Sequence, residues 1–231
     1  MATRNSVTMA HPFDIIGRAA AAAIAIGLSS AEAASPVNAA SRARQAWPVF
    51  TAVVENAKPP NGWAEFCAHY KGDCDVKPSA PRNIVLDSKT CEKLVSVNKW
   101  ANQHIKPVTD MRHWGRVNKW YYAEDGRGDC KDYVLVKRKK LMEAGLPREA
   151  LLITIVWTRQ NQGHAVLIAR TDKGDYVLDN LSSKIALWSE TGYDFVKRQS
   201  QSDPNAWVYI DGDPRPQPRA SHSVLTRSRL R

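Results

Sequence analysis

The sequence is poor in cysteine, has no internal repeat, and contains no apolar run long enough to cross a bilayer. Four cysteines stand in 231 residues, at 67, 74, 91 and 130. They form no CxxC pair and no Cys/His zinc spacing, which excludes a structural zinc module. Without a repeat, a stacked solenoid is excluded. The apolar stretch "AAAAIAIGL", Ala20 to Leu28, is far shorter than the roughly 20 residues a membrane-spanning helix needs. Acidic residues are in deficit, with 23 Asp and Glu against 33 Lys and Arg and a net charge of +10. Such an excess raises the question of a nucleic-acid or anionic-surface partner. No aromatic interleaving and no base-reading motif accompany it, so nucleic acid is not expected.

Much of the basic excess lies outside the part that can fold. "DGDPRPQPRASHSVLTRSRLR", Asp211 to Arg231, is rich in Pro and Arg and has no hydrophobic period. It reads as a disordered tail. At the other end, Arg4 and Arg18 precede the alanine-rich run, and Ala31 and Ala33 fit the small-x-small pattern of a signal-peptidase site. Residues 1–34 therefore read as a signal peptide cleaved after Ala33 or Ala34. The mature chain should begin near Ala34 or Ser35 and reside in the periplasm or outside the cell. Residues 35–210 remain as one domain, long enough for a core.

In an oxidising compartment structural cysteines tend to pair. Cys67 and Cys74 flank a Gly72 turn in "FCAHYKGDCD" and are expected to form a small disulfide loop. Cys91 falls in "SKTCEKLVSVNKWANQHI", an amphipathic pattern with Leu94, Val97 and Ala101 on one face, and reads as a small buried hydrophobe. Cys130 is left over, and a leftover thiol in an exported protein calls for a reason.

Along the chain, residues 42–70 read as helical with breaks, and residues 71–86 as loop. A helix is predicted over 88–105 with Ser88 as its N-cap. An aromatic connector follows, holding Trp114, Trp120, Tyr121 and Tyr122. The next helix is predicted from about Asp129 to Ala144, ended by Gly145 and Pro147. Cys130, Tyr133, Val134, Leu141 and Ala144 share one face of it, while Lys137, Arg138, Lys139 and Lys140 read as solvated. Then the period changes: residues 150–158, 163–171, 174–181 and 206–210 are β-branched and alternating. Helices followed by strands imply an α+β fold, with the Cys130 helix packed on an antiparallel sheet.

"GRGDCKDY" puts Cys130 behind two glycines, at a helix start. Unpaired N–H groups and the helix dipole favour an anion there, hence a thiolate. His164 opens a predicted strand, and "TDKG", 171–174, makes a hairpin turn. If that turn is centred between Asp172 and Lys173, His164 faces about Leu181 and Asp179 lies diagonally beside it. A carboxylate there can hold the imidazole's tautomer and its charge. Cys130 as nucleophile, His164 as base and Asp179 as orienter make a Cys–His–Asp arrangement.

"GDCKDY", "GHAVLIA" and "YVLDNL", with the approach "RVNKWYY…DGRGDC", resemble the bacterial transglutaminase-like cysteine peptidases of the LapG-like type. The resemblance implies a papain-like, transglutaminase-like core, a catalytic Cys130, His164 and Asp179, and periplasmic residence. It implies a hydrolase acting through an acyl-enzyme on a protein or peptide of the cell envelope. The same three residues would also serve acyl transfer to an amine, as in a transglutaminase, and a non-catalytic peptide-binding module is a further alternative. The Cys130 N–H is one natural oxyanion donor, with Asn98, Trp114 and Trp120 as candidates for the rest of the groove. LapG-type members bind calcium through acids on both sides of the nucleophile. Asp129 and Asp132 are present here, but Lys131 follows the cysteine, and a cation opposes Ca²⁺. No cofactor is therefore expected to be required.

Overall fold

The computed structural model describes residues 49–211. The predicted signal peptide, the first residues of the domain and the tail beyond Asp211 lie outside the described residues. Among the described residues no helix is long and apolar enough to cross a membrane.

The elements run β1 (Ala52–Ala57), α1 (Trp63–His69), α2 (Lys71–Cys74), α3 (Ser88–His104), β2 (Lys106–Pro107), α4 (Asp110–Trp114), β3 (Arg127–Gly128) and α5 (Cys130–Glu143). Then follow β4 (Leu151–Trp157), β5 (Gly163–Thr171), β6 (Gly174–Leu178), β7 (Ala186–Leu187), β8 (Asp194–Gln199) and β9 (Trp207–Asp211). Seven strands form one antiparallel sheet in the order β1-β9-β8-β4-β5-β6-β7. The two residues of β2 pair with β3 as a separate parallel ribbon. The fold is thus α+β, with α5 against β4 and β5 and α3 against α5.

Alternation along β4 and β5 divides the core. Leu151, Ile153, Ala165, Leu167 and Ala169 meet Val134, Leu135 and Leu141 of α5. Leu152, Val156, Val166 and Ile168 face the other way, against Trp188 and Phe195. The β5–β6 hairpin has the expected register: Thr171 pairs Gly174 and Leu167 pairs Leu178.

Several local expectations differ from the structure. Residues 52–57 are a strand, because Ala52 to Ala57 find a partner in β9 some 150 residues later, a pairing no local pattern announces. Asp211, assigned to the tail, pairs Ala52 at the end of that strand. The N-cap of α3 is Asp87, whose side chain accepts the Thr90 N–H at 2.7 Å. Cys91 is exposed, since the buried face of α3 runs through Leu94, Asn98 and Ala101 and begins only after its first turn. Lys137 and Arg138 are fully buried. Helix α5 is covered on both sides, and Arg138 donates to the Leu151 carbonyl at 3.0 Å.

Cys67 and Cys74 are bonded, with their Cα atoms 5.4 Å apart. Peptide mapping without reductant should recover this bridge and find Cys91 and Cys130 as free thiols. A disulfide involving Cys130 would be incompatible with this arrangement.

Candidate active site

The start of α5 is built from side chains that bond one another. Asp129 is its N-cap, and Asp132 answers from the third helical position by accepting the Asp129 N–H at 2.9 Å. The two form a capping box. The other oxygen of Asp132 accepts the Tyr121 N–H at 3.2 Å, which ties the aromatic connector to the helix. The glycines before Cys130 have separate reasons. Gly126 has a φ of 73°, in the left-handed region. A Cβ on Gly128 would lie 2.8 Å from the Asp132 Cβ, so the capping box has room only for glycine there.

Lys131 does not point to solvent. Its ammonium lies 2.7 Å from Asp110 and 2.6 Å from Asp129, and the residue is 7% exposed. Burial opposes the charge, but Asp132, Asp129 and Asp110 outweigh it and raise the Lys131 pKa. Asp132 is pushed up to about 8, chiefly by burial, with Lys131 pulling the other way and Asp129 adding to the rise. Asp110 also accepts the Lys119 N–H at 2.8 Å. The carboxylates of Asp110, Asp129 and Asp132 bring ligand oxygens within 4.8 Å of one another and could hold a metal ion. The Lys131 ammonium sits among those same oxygens.

Cys130 is the first residue of α5 and half-buried. His164 is the second residue of β5 and has the parity of Val166 and Ile168, whose side chains pack on the core away from α5. Thiol and imidazole nonetheless bond one another and open on the same two clefts. The ring's Nε2 lies 2.8 Å from Asp179 Oδ1, which leaves Nδ1 toward the thiol. Burial lowers the His164 pKa, but the bonds to Asp179 and Cys130 outweigh it and carry it up to about 9. Burial likewise raises the Asp179 carboxyl, but the bonds from His164 and Tyr193 prevail and hold it below its ordinary value.

Tyr193 is a residue the sequence did not single out. Its hydroxyl donates to Asp179 Oδ2 at 2.5 Å, and its ring meets the His164 ring edge-on at 5.7 Å. Both oxygens of Asp179 are thereby engaged, because Oδ1 also accepts the Leu181 N–H at 3.0 Å. The stretch "TGYDF" carries no signal that could have predicted this.

Two adjoining clefts of about 360 and 330 Å³ both contain Asp129, Cys130, Gly163 and His164. Trp120 lines the first, but its Nε1 donates to the Asn61 carbonyl at 3.0 Å, so the ring contributes a wall. Trp114 lines a separate cavity of about 440 Å³ with His69 and Tyr70. Asn98 is fully buried, and its amide donates to the Ser182 carbonyl at 3.0 Å. Neither Trp114 nor Asn98 borders the two clefts at Cys130.

A family model described as bacterial transglutaminase-like cysteine proteinase matches residues 53–215. Among solved structures the chain is similar to Legionella pneumophila LapG, at 24% identity over 68% of this chain and 83% of that one, with a TM-score of 0.45. It is also similar to calcium-bound and EGTA-treated LapG from the same organism. The first shows 23% identity, covers 67% of this chain and 82% of that one, and has a TM-score of 0.46. The second shows 22% identity, covers 69% of this chain and 82% of that one, and has a TM-score of 0.45. A comparison with curated proteins gives no match.

The raised His164 has a consequence for stability. A folded-state pKa of about 9 against an ordinary 6.5 means that the folded protein binds this proton more tightly. The contribution is fully present below pH 6.5 and is lost as pH rises through about 9. It amounts to about 3 kcal/mol at most. Urea unfolding at pH 6 and pH 9.5 should show that loss in the unaltered protein, and His164→Gln should flatten it. Equal pH dependence in both proteins would contradict the assignment.

Proposed function

The chain belongs to the bacterial transglutaminase-like cysteine proteinases and is a cysteine peptidase, and we propose that Cys130, His164 and Asp179 carry out its hydrolysis of protein substrates in the cell envelope. The observation that carries the proposal is the His164–Asp179 bond of 2.8 Å beside a free thiol that begins a helix. His164 Nδ1 takes the Cys130 proton, and the thiolate attacks the carbonyl carbon of a peptide bond. The electron pair moves to the carbonyl oxygen, where the Cys130 N–H, unused by the helix at its first position, donates to it. Collapse breaks the C–N bond, and the leaving amine takes the proton from His164. Water then gives a proton to His164 as it attacks the thioester, and its collapse returns the thiol and releases the acid. Asp179, fixed by Tyr193 and the Leu181 N–H, stabilises the imidazolium through both halves. The signal-like N-terminus and the family support a periplasmic residence.

Calcium is named for one LapG structure. Asp110, Asp129 and Asp132 are the residues here that could take it. They do not fit it while Lys131 is seated among them, since an ammonium 2.6–2.7 Å from two of the carboxylates supplies the charge a divalent ion would bring. The peptidase is therefore proposed to need no cofactor.

The test compares cell-envelope N-termini from wild-type cells and cells carrying Cys130→Ala. New N-termini present only in the wild type identify the substrates, and activity on them should fall about 10³-fold or more in the variant. Identical N-termini in the two would rule the proposal out. A calcium chelator should leave activity on those substrates unchanged. In calorimetric titration, Lys131→Glu should gain calcium binding, because four carboxylates then face one another. Micromolar calcium binding by the unaltered protein at this site would sink the reading of Lys131.

A further inference from the structure

The second turn of α5 holds a lysine that the proposed chemistry does not use. Lys137 is 0% exposed, and its Nζ has no hydrogen-bond partner among the described residues. Seven residues after Cys130, it returns to within about 20° of the cysteine on the helix surface and lies about 10 Å further along the axis. Its Nζ lies over the Tyr133 ring, 5.8 Å from the centroid. Burial carries its pKa down to about 7, against the pull of Asp179.

Among the described residues three more buried side-chain oxygens lack a partner, Oδ1 of Asn98 and Asn102 on α3, which packs on α5, and Oδ1 of Asn180 after β6. Asn98 and Asn102 come from α3, and their amides reach the segment that follows β6. Asn98 donates to Ser182 O at 3.0 Å, and Asn102 donates to Asp179 O at 2.9 Å and to Ser182 O at 3.1 Å. Asn180 lies in that segment. The three amide oxygens thus adjoin the few residues that carry Asp179, and Lys137 is near enough to feel the charge of Asp179. Buried donors and acceptors too far apart to bond directly are joined by internal water when several converge.

We infer that Lys137, Asn98, Asn102 and Asn180 form one water-bridged polar cluster beside the Asp179–Ser182 segment, and that Lys137 is a positioning residue for Asp179. The inference rests on the reading of Asp179 as the group that orients His164. The two α3 amides hold the backbone of the segment, and Lys137 with its water holds it from the α5 side. Loosening the segment moves Asp179 off the 2.8 Å contact with His164, and the imidazole then supports less thiolate at Cys130.

The test uses the full chain with Cys91→Ser, since Cys91 is an exposed free thiol. Iodoacetamide alkylation of Cys130 at pH 6 is followed by intact mass. Lys137→Met keeps an unbranched side chain out to the Cε position without the amine. It should slow alkylation about tenfold in a protein that remains folded at the temperature of the assay. In an Asp179→Asn background the same change should have no further effect. Wild-type alkylation in Lys137→Met, or equal slowing in both backgrounds, would overturn the inference. If Asp179→Asn itself alkylates like wild type, the reading of the catalytic residues fails and this inference with it. A slow Asp179→Asn beside a fast Lys137→Met overturns this inference alone. Should Lys137→Met not fold, a crystal structure of the unaltered protein decides. Water bonded to Lys137 Nζ and to at least two of the three amide oxygens supports the cluster, and a dry cluster overturns it.

Discussion

The end of the molecule that carries Cys130 depends on how the first turn of α5 is capped. Asp129 and Asp132 cap the helix reciprocally. Asp132 reaches back to Tyr121, and the ammonium of Lys131 joins Asp129 to Asp110 of α4. Cys130 sits inside this arrangement. Its position relative to the sheet follows from bonds made by the residues on either side of it. The carboxylates of Asp110, Asp129 and Asp132 would repel one another, and the ammonium of Lys131 offsets that repulsion. Gly128 obeys the same constraint, because only a residue without Cβ lets the chain pass Asp132 at this distance.

The cost of this design appears along the rest of the helix. An ordinary surface helix keeps one charged face in water. Here α5 lies between the sheet and α3, and it carries Lys131, Asp132, Lys137 and Arg138 into the interior. Each is handled differently. Lys131 and Asp132 neutralise and cap. Arg138 is bonded to the Leu151 carbonyl, with Asp73 3.7 Å away. Lys137 has no direct hydrogen-bond partner among the described residues. Burial of charge is tolerated where a bond is available, and at Lys137 the lack of one is the feature that calls for water.

The His164–Asp179 pair was legible in the order of residues alone. The TDKG turn sets the β5–β6 register, and register sets which side chains share a face. Helices α3 and α5 and strands β4, β5, β6 and β9 were legible from local pattern too, since the period of the apolar residues changes after Pro147, but α4 and β8 were missed. Strand β1, the exposure of Cys91 and the burial of Lys137 were not legible. Each depends on what another part of the chain covers or leaves bare. Tyr193 belongs to this group as well: it reaches Asp179 from a loop 14 residues further on, with nothing in its neighbours to mark it.

Local chemistry was enough to specify the α+β order, the Cys67–Cys74 bridge, the helix start at Cys130 and the histidine–aspartate register. Periodicity, turn residues, short cysteine spacing and caps all act over a few residues. Tertiary contacts alone settled where Lys131 points, which side chains wall the clefts, and which polar groups are buried without a partner. A lysine in a first helical turn has the same local energetics whether it faces water or three carboxylates. Asp110, 21 residues earlier in the chain, must fold back onto the helix before that choice exists.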